Sequence, residues 1–138
     1  MGEKIVVETL VNQPLAKVWE TFTDSIHVMQ WNHASDDWHC PSATNNLTVG
    51  GEFHYMMAAK DGSFEFDFTG IYDEVTEMKG YTYHLSDGRV IHVEFEEVEG
   101  GTKVIERFDP ENENPLEMQQ MGWQMILNNF KEYTESLG

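Results

Sequence analysis

The sequence predicts an α+β domain in which a curved antiparallel sheet grips one long C-terminal helix. Three observations carry that prediction. From Gly50 to Phe108 apolar and polar residues alternate with a period of two, interrupted at short intervals by turn residues. The strands so delimited are joined by connections too short for a crossover, so they pair antiparallel. Beyond Pro115 the period becomes helical, with Leu116, Trp123, Ile126, Leu127, Phe130, Tyr133 and Leu137 as its apolar positions. A sheet with one apolar face needs a cover, and this helix is the only element long enough to supply it.

Taken in order, residues 4 to 12 are rich in β-branched side chains and end at Asn12-Gln13-Pro14, a strand closed by a turn. Pro14 opens a helix, because proline suits a helix start, and Val18, Trp19 and Phe22 give it an apolar side. Asp24 or Ser25 caps a second short helix carrying Ile26, Met29 and Trp31. Asn32 to Thr48, with Pro41 and many small polar residues, reads as a long connection, and long ordered connections often carry function.

Five strands follow. Phe53, Tyr55 and Met57 alternate with Glu52, His54 and Met56, and Asp61-Gly62 is a strong hairpin signal. Phe64, Phe66 and Phe68 alternate with Glu65 and Asp67. Lys79-Gly80 precedes Tyr81, Tyr83 and Leu85; Asp87-Gly88 turns into Ile91, Val93 and Phe95; Gly100-Gly101 turns into Thr102 to Phe108. The expected order is strand, two short helices, five-stranded antiparallel meander, long C-terminal helix, all in a single domain of residues 1–138. Strongly curved sheets do not lie flat on a straight helix, so large side chains fill the space between them or a cavity remains.

Composition narrows the function classes. With 25 Asp and Glu against 8 Lys and Arg, the formal charge is −17. Phosphate binding draws on Lys and Arg, and no basic run exists, so neither nucleic acid nor an anionic membrane is an expected partner. No apolar run approaches a membrane span. Met1-Gly2-Glu3-Lys4 leads directly into a strand pattern without a signal-peptide core, and Val6 stands where myristoylation at Gly2 would need Ser or Thr. The single cysteine, Cys40, excludes an intrachain disulfide and fits the cytoplasm. Four Trp, five Tyr, eight Phe and eight Met are a large payload for so acidic a chain, and they imply an enclosed apolar space. A monomer or weak dimer is expected.

Several short motifs occur in register with these elements: Pro14 with Val18-Trp19, Gln30-Trp31, Val49-Gly50-Gly51-Glu52-Phe53, Gly70 with Tyr72, and Gly122-Trp123-Gln124-Met125-Ile126-Leu127 with Phe130 and Tyr133. Together they cover nearly the whole chain, which resembles the activator-of-heat-shock-chaperone-ATPase homologue family. That family belongs to the START-like or SRPBCC superfamily, with the birch-pollen allergen and the polyketide cyclases. The resemblance implies a helix-grip fold with a deep hydrophobic cavity between sheet and C-terminal helix. It implies less about activity, since the same fold serves carriers, cyclases and a chaperone-binding domain. The eukaryotic chaperone activators carry an additional N-terminal domain that this sequence does not show.

Assigning the apolar parity inward points Phe53, Tyr55, Met57, Phe64, Phe66, Phe68, Tyr83, Ile91, Val93 and Phe95 toward the helix. From the helix side Met118, Met121, Gly122 and Met125 are the expected counterparts, Gly122 at a cost of about 1 kcal/mol in helix stability relative to Ala. Trp31 and Trp38 are expected to close the cavity mouth. On the last strand Val104, Glu106 and Phe108 share a parity, which turns Glu106 inward. A carboxyl in an apolar chamber has a raised pKa, so Glu106 is the one catalytic candidate, or an anchor for a ligand hydroxyl. The alternatives are a bulge that shifts the register, or a structural pairing with Arg or Tyr. Tyr55, Tyr83 and Trp123 could orient a ligand with their polar tips.

His33, Asp36, Asp37, His39 and Cys40 mix metal-ligating types, but their spacing fits no zinc signature, so no metal is expected. Cys40 beside His39 is a weak nucleophile pair, because adjacent residues point apart. No phosphate loop, dinucleotide fingerprint or catalytic triad order is present, and no cofactor is expected. The expectation is a binder of a small hydrophobic, lipid-, polyketide- or flavonoid-like molecule. A cyclase- or dehydratase-like enzyme using Glu106, or a co-chaperone, is the alternative.

Overall fold

A computed structural model describes residues 4–137. The leader and myristoylation readings at Met1 to Glu3, and Gly138, lie outside the described residues. β1 (Ile5–Val11) buries Ile5, Val7 and Val11 on one face. α1 (Leu15–Thr23) follows with Pro14 as its N-cap residue and buries Val18, Trp19, Thr21 and Phe22. α2 (Ser25–Trp31) is capped by Asp24, whose carboxylate accepts the Ile26 N–H at 2.9 Å. Its buried residues are Val28 and Trp31, while Ile26 faces solvent.

The sheet has seven strands in the order β1-β7-β6-β5-β4-β3-β2, all neighbours antiparallel. The expected meander is β3 (Glu52–Ala59), β4 (Glu65–Thr76), β5 (Gly80–His84), β6 (Val90–Val98) and β7 (Gly101–Phe108). The expected connection from Asn32 to Thr48 is a correction: it contains β2 (Trp38–Asn45), which pairs with β3. β2 is an edge strand whose register shifts between His39 and Ser42, around Pro41. Proline lacks a ladder donor and is tolerated only at such an edge or bulge, so the residue that argued against a strand marks which strand this is.

At the other edge β1 pairs with β7 from Ile5↔Phe108 to Val11↔Thr102. α3 (Leu116–Ser136) runs along β1 and covers its free edge. Gln120 Nε2 donates to the Val6 carbonyl at 3.3 Å, Gln124 Nε2 to Glu8 O at 3.0 Å and Lys131 Nζ to Leu10 O at 2.7 Å. The Asn12 N–H donates to Glu135 Oε2 at 2.8 Å. Side chains of α3 thus satisfy edge carbonyls that would otherwise invite another strand.

Helix α3 therefore lies toward one margin of the concave face rather than across its middle. At one end the space below it is filled. Phe22 packs on Trp31, Phe95 and Phe130 with ring centroids 5.1, 5.4 and 4.8 Å away, and Trp19 packs on Phe95 at 5.0 Å. The buried Thr21 and Thr134 hydroxyls, 3.1 Å apart, tie α1 to α3 within this plug. At the other end, between β3 to β5 and the N-terminal half of α3, nothing fills the face.

Candidate functional site

The unfilled end is a chamber of about 410 Å³, the scale of a small-molecule site. Phe53, Tyr55 and Met57 of β3 and Phe66, Phe68 and Tyr72 of β4 form one wall; Tyr81, Tyr83 and Val93 continue it. Trp123 and Ile126 of α3 face them, with Phe22 and Trp31 at the plug. Gly70 makes the aromatic wall continuous. A Cβ there would lie 2.7 Å from Phe53 Cε2 and 2.8 Å from Tyr83 Cδ2, so its absence lets these two rings meet, 4.8 Å apart, across β4.

Glu106 is on the chamber surface. Its strand neighbours in register are Val7 and Val93, and it is only 8 % exposed. Burial pushes its carboxyl up from the usual carboxylate range to about 8, and among the described residues no charge or hydrogen bond offsets that burial. It is therefore protonated at neutral pH and can donate a hydrogen bond into the chamber. The tyrosine hydroxyls are also held protonated. Burial raises Tyr55, Tyr81 and Tyr83 well above the usual phenol range, and the Glu106 charge adds to the effect at Tyr81 and Tyr83.

Behind this surface runs a polar chain. The Tyr72 hydroxyl donates to Asn45 Oδ1 at 2.6 Å, and Asn45 Nδ2 donates to the Thr23 carbonyl at 2.7 Å. It links β4 through β2 to the end of α1, and β2 was the strand not anticipated. The Val49-Gly50-Gly51 turn fastens the same place: the Gly50 N–H donates to Tyr72 O at 2.8 Å and the Tyr72 N–H to Gly51 O at 3.0 Å. Gly50 takes φ +84, which favours glycine.

The mouth is framed by Arg89, Glu111, Asn114, Met118, Gln119 and Gly122. Gln119 is buried and holds the loop before α3. Its Oε1 accepts the Glu111 N–H at 2.9 Å, and its Nε2 donates to Asn114 O at 2.8 Å. Sequence reasoning missed Gln119, although a Gln following a Pro- and Asn-rich loop by a few residues was a legible signal. Arg89 Nε donates to Asp87 Oδ2 at 2.8 Å. Nothing lies within 4 Å of a Cβ built on Gly122, so no packing demand keeps glycine there; the bare position widens the mouth.

Of the other residues expected around the chamber, some lie elsewhere and some hold a different place in it. Phe95 is in the plug, and Phe108 stacks behind Trp123 with centroids 4.0 Å apart, so it positions the indole rather than lining the space. Trp31 is a buried wall residue, its Nε1 donating to Thr21 O at 2.9 Å, and not a lid. Trp38 packs against Phe64 and Phe66 at 6.0 and 6.2 Å, outside the chamber. Phe64 is 58 % exposed because the β3–β4 hairpin extends beyond the reach of α3. Met121 and Met125 face solvent, since α3 turns Gln119, Leu127, Phe130 and Thr134 toward the protein; Met118 stays at the mouth.

Cys40 is no better placed for nucleophilic chemistry than the sequence suggests. Its thiol is buried, pushed up to about 11 by that burial, and donates to the Ser42 carbonyl at 3.3 Å. Such a thiol stays protonated and inert. Among the described residues no group of three or more His, Cys, Asp or Glu side chains is placed to hold a metal ion. No helix among them is long and apolar enough to cross a membrane.

A curled antiparallel sheet, closed by two short helices and a long C-terminal helix around an apolar chamber, defines the START-like, helix-grip class. Residues 12–135 match the family described as Activator of Hsp90 ATPase homolog 1-like protein, and the chain belongs to that family. It is similar to the AHSA1-like protein from Aeromonas hydrophila, with 43 % identity and a TM-score of 0.92 over 98 % of this chain and 94 % of that one. A protein from Cytophaga hutchinsonii is 47 % identical, with a TM-score of 0.84 over 99 % and 94 % of the two chains. One from Nitrosomonas europaea shares the fold at 18 % identity and TM-score 0.83, covering 99 % and 96 %. No curated protein sequence matches the chain. Fold and family together support ligand binding or a co-chaperone role in general.

Proposed function

We propose that this domain binds a small hydrophobic molecule, of lipid-, polyketide- or flavonoid-like character, between the sheet and α3. The observation that carries the reading is the chamber of about 410 Å³ walled by aromatic rings and holding one buried carboxyl without a partner. An apolar space kept open beside a well-filled plug costs packing energy, and filling it with a ligand restores that packing. The few polar groups, Glu106 with Tyr81 and Tyr83, would fix the ligand's orientation.

The test is methionine-methyl NMR during titration with a panel of flavonoids, fatty acids and polyketides. Met57 and Met118, on the chamber surface, should shift together, while the solvent-facing Met121 and Met125 stay still. Silence at Met57 across the whole panel would count against ligand binding. The family description brings a heat-shock chaperone as the second candidate partner. That reading expects this chain to stimulate the chaperone's ATPase in a dose-dependent way, and a flat response removes it.

A further inference from the structure

The chamber carries an acidic group and lacks a counter-charge. Among the described residues on its surface the one cation is Arg89, at the mouth, and its Nε is engaged by Asp87. Deep inside, Glu106 meets aliphatic neighbours from β1 and β6 and aromatic ones elsewhere. Aromatic faces attract cations and offer nothing comparable to anions. A carboxylate stripped of water needs an opposite charge or must keep its proton. The chain as a whole, at −17, concentrates cations around itself and repels anions.

We propose that the chamber takes lipophilic organic cations, amines on an aromatic or aliphatic skeleton whose ammonium pairs with Glu106, in preference to neutral or anionic molecules of the same shape. This rests on the chamber being a ligand site and names the class of ligand. In the empty chamber Glu106 holds its proton. When an ammonium enters, the Glu106 O–H proton leaves to solvent and an ammonium N–H donates to the carboxylate; no bond within the ligand forms or breaks. A neutral ligand leaves that proton in place, and a carboxylate ligand adds a second negative charge to the same space.

The groups around Glu106 leave the proton to Glu106 itself. Tyr55 from β3, Tyr72 from β4, and Tyr81 and Tyr83 from β5 are all raised above the usual phenol range by burial and do not ionise near neutrality. β1 and β6 present Val7 and Val93, α1 and α2 present Phe22 and Trp31, and α3 presents Gln119 and Trp123. Arg89 and Glu111 stand at the mouth, where Glu111 Oε1 accepts the Asn114 N–H at 2.6 Å.

Three probes of one shape separate the charges: 1-naphthylmethylamine, 1-naphthylmethanol and 1-naphthoate. Each is titrated into the full chain at pH 6, 7 and 8 and followed at the Met57 methyl and the Trp123 indole. The amine should bind at least about tenfold more tightly than the alcohol at pH 8, and the naphthoate most weakly. With Glu106 titrating at about 8, amine affinity should rise about ninefold from pH 6 to 7 and about fivefold from pH 7 to 8, while the alcohol stays flat. Glu106→Gln should abolish the amine's pH dependence and its advantage over the alcohol, and a wild-type circular dichroism spectrum with a cooperative melting transition reports that the variant is folded. The pH slope is measured on the wild-type chain, so the proposal stands or falls even if the variant does not fold. Equal binding of amine and alcohol at pH 8, or a flat amine profile, overturns the cation preference and leaves ligand binding intact. If none of the three probes binds, the cation preference falls, and ligand binding itself is decided by the flavonoid, fatty-acid and polyketide panel.

Discussion

Glu106 is carried into the chamber by the simple alternation of β7, which also turns Thr102, Val104 and Phe108 inward. Three of those four positions are unremarkable core chemistry, and the fourth destabilises the fold as the pH rises. In the unfolded chain this carboxyl ionises near the ordinary side-chain value of 4.5, whereas in the folded protein burial holds it up at about 8. Between those values the folded state keeps a proton that the unfolded state has released, so stability falls with increasing pH and levels off above the folded pKa. By pH 7 the loss amounts to about 3 kcal/mol. Glu106→Gln has no proton to lose. It should therefore be more stable than wild type by up to about 3 kcal/mol at pH 7, a margin that shrinks toward pH 4.5. Urea denaturation of both proteins at pH 5, 6, 7 and 8 checks this. A margin that stays constant over the range would mean that the carboxyl titrates as an exposed one does.

The secondary elements show which parts of the site could be read from residue order. Parity along a strand was legible: Phe53, Tyr83 and Glu106 face the chamber as their alternation required. Where a strand ends relative to its cover was not, because that depends on the placement of α3 in three dimensions. Phe64, Phe66 and Phe68 share one parity, yet the first is mostly exposed, the second sits at the rim and the third packs on Trp123 with centroids 6.1 Å apart. β2 escaped notice because an edge strand interrupted by Pro41 lacks the alternation that a two-sided partner imposes. On α3 the methionines suggested an inner face, but side chains of Gln120, Gln124 and Lys131 reach the β1 edge and rotate Met121 and Met125 outward. The same rotation leaves Gly122 at the mouth with open space at its Cβ. Gly122→Ala should raise stability by about 1 kcal/mol, the ordinary helix gain, with little effect on binding. Gly122→Leu should keep the circular dichroism spectrum of the wild type, melt no lower than it, and weaken chamber ligands more than tenfold. If the leucine variant binds as the wild type does, entry does not pass Gly122.

At the scale of the whole molecule the charge and the chamber act on the same ligand from different distances. Glu8, Glu52, Glu65, Asp67, Glu94 and Glu96 all stand exposed on the outer face of the sheet, opposite the aromatic wall. Some are partly neutralised there, by Lys103 on Glu8 at 3.3 Å and by Arg107 on Glu94. The excess remains large and is spread over the surface, so its field is long-ranged and screened by salt, whereas the pairing of an ammonium with Glu106 is short-ranged and buried. For a charge of −17 on a sphere of about 18 Å radius, the attraction of a monovalent cation to the surface drops by about 1.4 kcal/mol between 20 and 500 mM salt, a factor of about ten. The affinity of 1-naphthylmethylamine should fall by roughly that factor across the range, and that of 1-naphthylmethanol should not change. Glu106→Gln should retain the salt response of the amine while losing its pH response, because the surface coat is untouched by the substitution. NMR titrations of both probes at the two salt concentrations, with wild type and variant, separate the contributions. An amine affinity indifferent to salt would confine the attraction to Glu106 and leave the acidic coat without a part in choosing the ligand.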